Sequence, residues 1–252
     1  MTTIGINTLV YMDALQDGTP QSELLENIAS HGITLAEVRR EYIADDAEYD
    51  AIANAAARNR LTLFYSVPES ITMNGDINPR FTQFLDEATR MHASNVKFNQ
   101  GDIRKVSQQT LRLIDREAAR HEVTLSVEND QTPENGTLSC TQASLGNIAE
   151  NGSAVGYTFD LGNWYWRGED PQAAFDRLLD HITVFHLKNV NGSQDRDRLA
   201  TTMLQDGVID WQPMLRRLPA NVPVLLEFPI PAPQVAEQVD IARRALADYA
   251  GR

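Results

Sequence analysis

Val123-Thr124-Leu125-Ser126-Val127-Glu128-Asn129-Asp130 and Val155-Gly156-Tyr157-Thr158-Phe159-Asp160-Leu161-Gly162-Asn163-Trp164 decide the fold. Each begins as a short apolar run with β-branched and aromatic residues, and each run ends in an acid. One helical stretch, within 138–150, separates them. A strand, a helix and a second strand of this kind predict parallel strands joined by a crossover helix.

The same rhythm extends outward in both directions. Strands are predicted at 3–7, 35–39, 61–66 and 95–98 upstream, and at 182–185 and 222–226 downstream. Helices are predicted at 20–31, 45–60, 78–92, 103–121, 171–179, 210–218 and 233–249. Thr19 is placed to cap the first helix, with Pro20 at its first position and Gly32 ending it. Phe81, Phe84, Leu85 and Ala88 form one apolar stripe on the third. Pro68 is expected to stop the third strand. Eight units share 252 residues, and a chain of about 250 residues suits a closed (β/α)8 barrel. No Gly-rich phosphate turn follows the first strand, which disfavours an open doubly wound sheet. The expectation is one domain over 1–252, a single (β/α)8 TIM barrel.

Composition excludes several function classes. The net charge is −13 and the pI is near 4.8, so the chain repels a phosphate backbone and is not expected to bind nucleic acid. The single cysteine, Cys140, cannot form an internal disulfide. No apolar run approaches a membrane span, and Met1-Thr2-Thr3-Ile4-Gly5 lacks a basic leader region. A soluble, cytoplasmic protein with no membrane partner is therefore expected. No Gly-x-Ser-x-Gly elbow, P-loop or Cys-x-x-Cys pair appears.

Barrels of this kind build their active site at the C-terminal ends of the strands. Four successive predicted strands end in a metal-capable side chain: Glu128, Asp160, His186 and Glu227. Three carboxylates brought together repel one another unless they protonate or are neutralised. A divalent cation resolves this, and three oxygens with one nitrogen suit Mn²⁺ first, with Mg²⁺, Co²⁺ or Zn²⁺ as alternatives. The other four histidines, His31, His92, His121 and His181, fall at helix ends or just before a strand, on the opposite face. Arg39, Lys97 and Lys188 lie in or just after strands and could hold a substrate carboxylate or phosphate. Each alone reads equally as a solvated rim residue. Alternation puts Glu37 on the same face as Arg39, where the two are placed to pair. Trp164 and Trp166 are candidates for an apolar wall against a sugar face or for packing under the next helix. Asn7, Tyr65 and Ser66 complete the rim.

The set Val127-Glu128-Asn129-Asp130, Phe159-Asp160-Leu161-Gly162-Asn163, Phe185-His186-Leu187-Lys188 and Leu226-Glu227 resembles the xylose-isomerase-like sugar isomerases and epimerases, single-metal (β/α)8 barrels. Glu37-Val38-Arg39-Arg40-Glu41 and Val127-Glu128-Asn129-Asp130-Gln131-Thr132-Pro133 are similar, more narrowly, to epimerases associated with 2-ketogluconate utilisation. The resemblance implies that Glu128, Asp160, His186 and Glu227 hold the metal. It implies further that Glu128 and Glu227 exchange a proton with carbon next to the substrate carbonyl, through an enediolate. Arg39, Lys97, Asn163, Trp164 and Lys188 would meet the substrate. Asn163 stands where ketose epimerases of this family carry a histidine, and their arginine after the ligand histidine has no clear match, though Lys188 could serve. The implied partner is a small sugar or sugar acid, and a homodimer is compatible. A metal-dependent lyase dehydrating a hydroxylated acid fits the same residues. An apurinic-site endonuclease-like hydrolase needs more strand-end histidines and a basic face, which five histidines and a charge of −13 do not supply.

Overall fold

The computed structural model describes residues 2–250, without the side chains of 248–250. Eight parallel strands close on themselves: β1 (Ile4–Asn7), β2 (Leu35–Arg39), β3 (Thr62–Ser70), β4 (Ala93–Asn99), β5 (Thr124–Glu128), β6 (Gly156–Asp160), β7 (Ile182–Leu187) and β8 (Val224–Leu226). Closure pairs the first strand with the last, with Ile4 opposite Val224 and Ile6 opposite Leu226. Helices Gln21–Ser30, Asp46–Asn59, Phe81–Met91, Gln108–Arg120, Leu138–Glu150, Pro171–Leu178, Gln212–Arg217 and Val235–Ala250, numbered α1 to α8, return the chain between strands and close the ring.

Local chemistry sets the helix ends. Asp45 accepts hydrogen bonds from the N–H groups of Ala47 and Glu48 and so starts α2. Ser107 does the same for α4 through Thr110 N–H, and Asp170 for α6 through Gln172 N–H. The first helix departs from the Thr19 cap. Pro20 is extended and occupies the cap position itself, and the Gln21 N–H donates to the Glu48 carboxylate at 2.6 Å. A partner from the neighbouring helix replaces the local cap.

Pro68 does not stop β3, which continues to Ser70. The register against β4 shifts between Val67 and Ser70, so Pro68 lies where no ladder bond is required. The helix predicted at 103–121 is in fact a 3-10 turn, Ile103–Lys105, followed by α4, because Ser107 caps a new start.

Alternation along the strands sorts their side chains into two environments. Outward, Phe159 of β6 stacks on Phe185 of β7 with centroids 5.4 Å apart, and Phe175 of α6 meets both edge-on. Full burial of one such ring contributes about 1.5–3 kcal/mol. Inward, Leu35, Val184 and Leu225 form the barrel floor with Phe64. Gly5 makes room for them, since a Cβ there would lie 2.9 Å from the Leu35 side chain. Above the floor Thr158 donates to Ser126, and Ser126 to Asn95. The next layer up is the mouth.

Candidate metal centre

Glu128 ends β5, Asp160 ends β6, His186 is the penultimate residue of β7 and Glu227 follows β8 directly. Register places Asp160 opposite His186 and His186 opposite Leu225. One donor atom from each of Glu128, Asp160, His186 and Glu227 lies within 4.8 Å of the others, and all four residues are buried.

The donors are presented by identifiable local structure. A short helix, Leu161–Trp166, begins immediately after Asp160, and Asp160 Oδ1 caps it by accepting the Asn163 N–H at 2.9 Å. That fixes the carboxylate and leaves Oδ2 for other work. Asn129 locks the two strand ends together: its amide donates to the Asp160 carbonyl and accepts from the Asp160 N–H and the Tyr157 hydroxyl. Asn163 donates to the Asn129 carbonyl and accepts from Gln131. Its amide is therefore committed to the loop after β5.

The cluster is interlocked with cations. Lys97 Nζ lies 2.6 Å from Glu128 Oε2, and Lys188 Nζ lies 2.5 Å from Asp160 Oδ2 and 3.1 Å from Glu227 Oε2. Arg39 does not pair with Glu37. It bonds Glu41 and reaches Glu227 Oε1 at 2.8 Å, because it sits one layer above Glu37, at the rim. Glu37, fully buried, takes a hydrogen bond from Asn7 and stands 3.0 Å from His186 Nε2. The other ring nitrogen, Nδ1, is 2.8 Å from Glu128 Oε1 and 3.3 Å from Glu227 Oε2.

These contacts set the titration of the group. Burial would raise Glu128, yet the Lys97 ammonium holds its carboxyl down at about 2. Glu227, opposed by burial in the same way, is held well below the usual range by Lys188, His186 and Arg39. Asp160 goes the other way: burial and the charges of Glu227 and Glu128 outweigh Lys188 and push it up to about 8. Burial disfavours the His186 cation, but Glu227 and Glu37 raise its pKa well above the ordinary value.

A divalent ion fits this set. Among the described residues Glu128 Oε1, Asp160 Oδ2 and His186 Nδ1 are all buried and lack a well-aligned hydrogen-bond partner. Buried polar atoms are normally satisfied, and three that converge as two oxygens and a nitrogen with only charged neighbours in poor alignment make a metal-binding donor set. Glu37 also faces the far nitrogen of His186, the place where ligand histidines usually meet a carboxylate.

Of the other sequence-predicted residues, Lys97 and Lys188 join the cluster directly and Arg39 joins it from the rim. Trp164 does not. It is fully buried, with its ring 5.8 Å from that of Phe159, because the helix starting at Leu161 turns it into the outward aromatic cluster. Tyr65 also faces outward and donates to Glu87, whereas Ser66 is buried opposite Lys97. Glu37 is the residue whose importance spacing understated. Its signal was an acid at an inward position of β2, but its partner lies across the barrel.

Fold and mouth together define a (β/α)8 barrel with an acid–imidazole cluster at the C-terminal ends of its last four strands. The chain belongs to the xylose isomerase-like TIM barrel family, whose pattern matches residues 25–246. Curated proteins give no match. Among solved structures, a xylose isomerase domain-containing protein from Salmonella typhimurium LT2 superposes with a TM-score of 0.73 at 16% identity, covering 98% of this chain and 97% of that one. An L-ribulose 3-epimerase gives 0.72 at 16% identity over 99% and 96%. A xylose isomerase-like TIM barrel protein from Mycobacterium smegmatis, in complex with magnesium, gives 0.71 at 16% over 99% and 98%. At such identities the likeness establishes the fold.

Proposed function

We propose that the chain is a divalent-metal-dependent isomerase or epimerase acting on a keto sugar or sugar acid. The observation that carries this reading is the placing of two buried glutamates, Glu128 and Glu227, against one nitrogen of His186 within a four-residue donor set. The family match and the likeness to an L-ribulose 3-epimerase support it. Glu128, Asp160, His186 and Glu227 would hold the ion, which would supply positive charge to an enediolate as it develops.

The chain's own residues do the rest. One of Glu128 and Glu227 removes the proton from carbon next to the carbonyl, and the other returns a proton. Lys97 keeps Glu128 ionised, and so able to accept that proton, at neutral pH. Arg39 and Lys188 keep 16% and 9% of their side chains exposed and would meet substrate oxygens, whereas Lys97, at 3%, stays with Glu128. Asn163 and Trp164 act through the loop and helix they brace.

The test is a panel of keto sugars and sugar acids, including 2-ketogluconate and its phosphate, incubated with the chain and Mn²⁺ in deuterated water. NMR should show deuterium entering at the carbon next to the carbonyl as isomers interconvert. Turnover without exchange on every substrate would rule the proton-transfer mechanism out. Loss of water from the substrate in place of isomer formation would make the chain a dehydratase.

A further inference from the structure

We propose that Lys188 is the resident counter-cation of this cluster: it holds Asp160 and Glu227 in the metal-free chain and must leave them when a divalent ion binds. The inference rests on the metal-dependent reading above. Its first support is which oxygen atoms remain. Asp160 Oδ1 is committed to the Asn163 N–H, and Glu227 Oε1 to Arg39. The one remaining oxygen on each acid, Asp160 Oδ2 and Glu227 Oε2, faces the Lys188 ammonium, at 2.5 and 3.1 Å. Those are the atoms a cation must take, and a monovalent and a divalent charge sharing them in a buried site repel strongly.

Gly162 supplies the second support. A Cβ at that position would lie 2.8 Å from Lys188 Cγ, 3.0 Å from Cε and 3.1 Å from Cδ. Gly162 sits inside the helix Leu161–Trp166, where any residue could adopt the backbone. Its missing side chain therefore serves space, and that space holds the lysine stem.

Lys97 provides the internal contrast. It binds Glu128 Oε2 and leaves Oε1 facing His186 Nδ1 at 2.8 Å, so it neutralises the site without standing on that donor. Lys188 is the cation that blocks, and once displaced its ammonium is free for a substrate oxyanion.

Isothermal titration of the full chain with Mn²⁺ at fixed pH tests this. Lys188→Met and Gly162→Ala should each bind Mn²⁺ about tenfold more tightly than the unaltered chain, or more, because both clear the two oxygens. Lys97→Met, which removes an equal charge but frees only Glu128 Oε2 and leaves Lys188 on Asp160 Oδ2 and Glu227 Oε2, should tighten binding distinctly less. Thermal melting by circular dichroism verifies folding, and Gly162→Ala, which keeps every charge, carries the test alone should Lys188→Met not fold. Unchanged or weaker binding in Lys188→Met and Gly162→Ala overturns the proposal, as does equal tightening in the two lysine variants. Absence of Mn²⁺ binding in all four proteins overturns the metal reading, and this inference with it.

Discussion

The two halves of the barrel contribute different chemistry to one mouth. Strands β5 to β8 bring the four candidate donors, Glu128, Asp160, His186 and Glu227. Strands β1 to β4 bring the groups that face them: Lys97 on Glu128, Arg39 on Glu227, and Glu37, held by Asn7, on His186. Lys188, from the second half, is the exception. The second half therefore offers the lone pairs and itself fixes Asp160, while the first half sets the charge and contacts of Glu128, Glu227 and His186. Such a division allows donor groups to stay in place while the opposite wall adapts to a substrate.

Substitutions in the two halves should accordingly fail in different ways. The largest effect is expected in the second half. Glu227→Gln or Glu128→Gln removes one member of the proton-transfer pair, and isotope exchange into substrate should slow by about 10²–10⁴-fold. Exchange rates measured by NMR check this; a loss of less than tenfold in both would take the pair out of the mechanism. In the first half, Glu37→Gln leaves every donor in place but removes the carboxylate facing His186. Mn²⁺ affinity should fall about 10–100-fold, with turnover recovering at saturating metal. Titration followed by kinetics separates this from His186→Ala, which should leave the chain short of the roughly one ion per chain expected from its donor set. Equal behaviour of Glu37→Gln and Glu227→Gln would erase the distinction between the halves.

The second half was the more legible from sequence because its residues occupy strand ends, and eight-unit spacing locates strand ends directly. Glu128, Asp160, His186 and Glu227 needed only the order of the elements. The role of Glu37 needed barrel closure, since His186 lies on β7 and no spacing along the chain brings it to β2. The Arg39–Glu37 pair failed for a related reason: alternation gives the face but not the height, and Arg39 reaches past Glu37 to Glu227. Trp164 was open between the mouth and packing under the next helix, and a helix beginning one residue after Asp160 turns the side chain to the second. Pro68 read as a stop, but a register shift absorbed it.

The smallest predicted effect is graded with pH, and the groups that titrate in it lie in the second half. In the metal-free chain burial pushes Asp160 up to about 8, and His186 is held protonated well above its ordinary value. A metal ligand must be unprotonated, so binding expels these protons. Mn²⁺ affinity should therefore climb as pH rises from 6 to 8, by about tenfold per unit for each proton released. The part due to Asp160 levels off above pH 8. The same shifts fix the sign for stability. Asp160 keeps a proton that the unfolded chain gives up near pH 4, so stability falls as pH rises from about 4 towards 8. The raised His186 adds stability that is fully present below about 6.5 and lost as pH passes its folded value. Glu128, held down at about 2, acts oppositely, with stability present above about 4.3 and lost only as pH falls towards 2. Melting curves at pH 5.5 and 8.5 should thus show the metal-free chain less stable at the higher pH. Added Mn²⁺ should raise the melting temperature more at 8.5 than at 5.5. A stabilisation by Mn²⁺ that is larger at 5.5 would mean that the ion does not displace protons from Asp160 and His186, and would move it away from the second-half cluster.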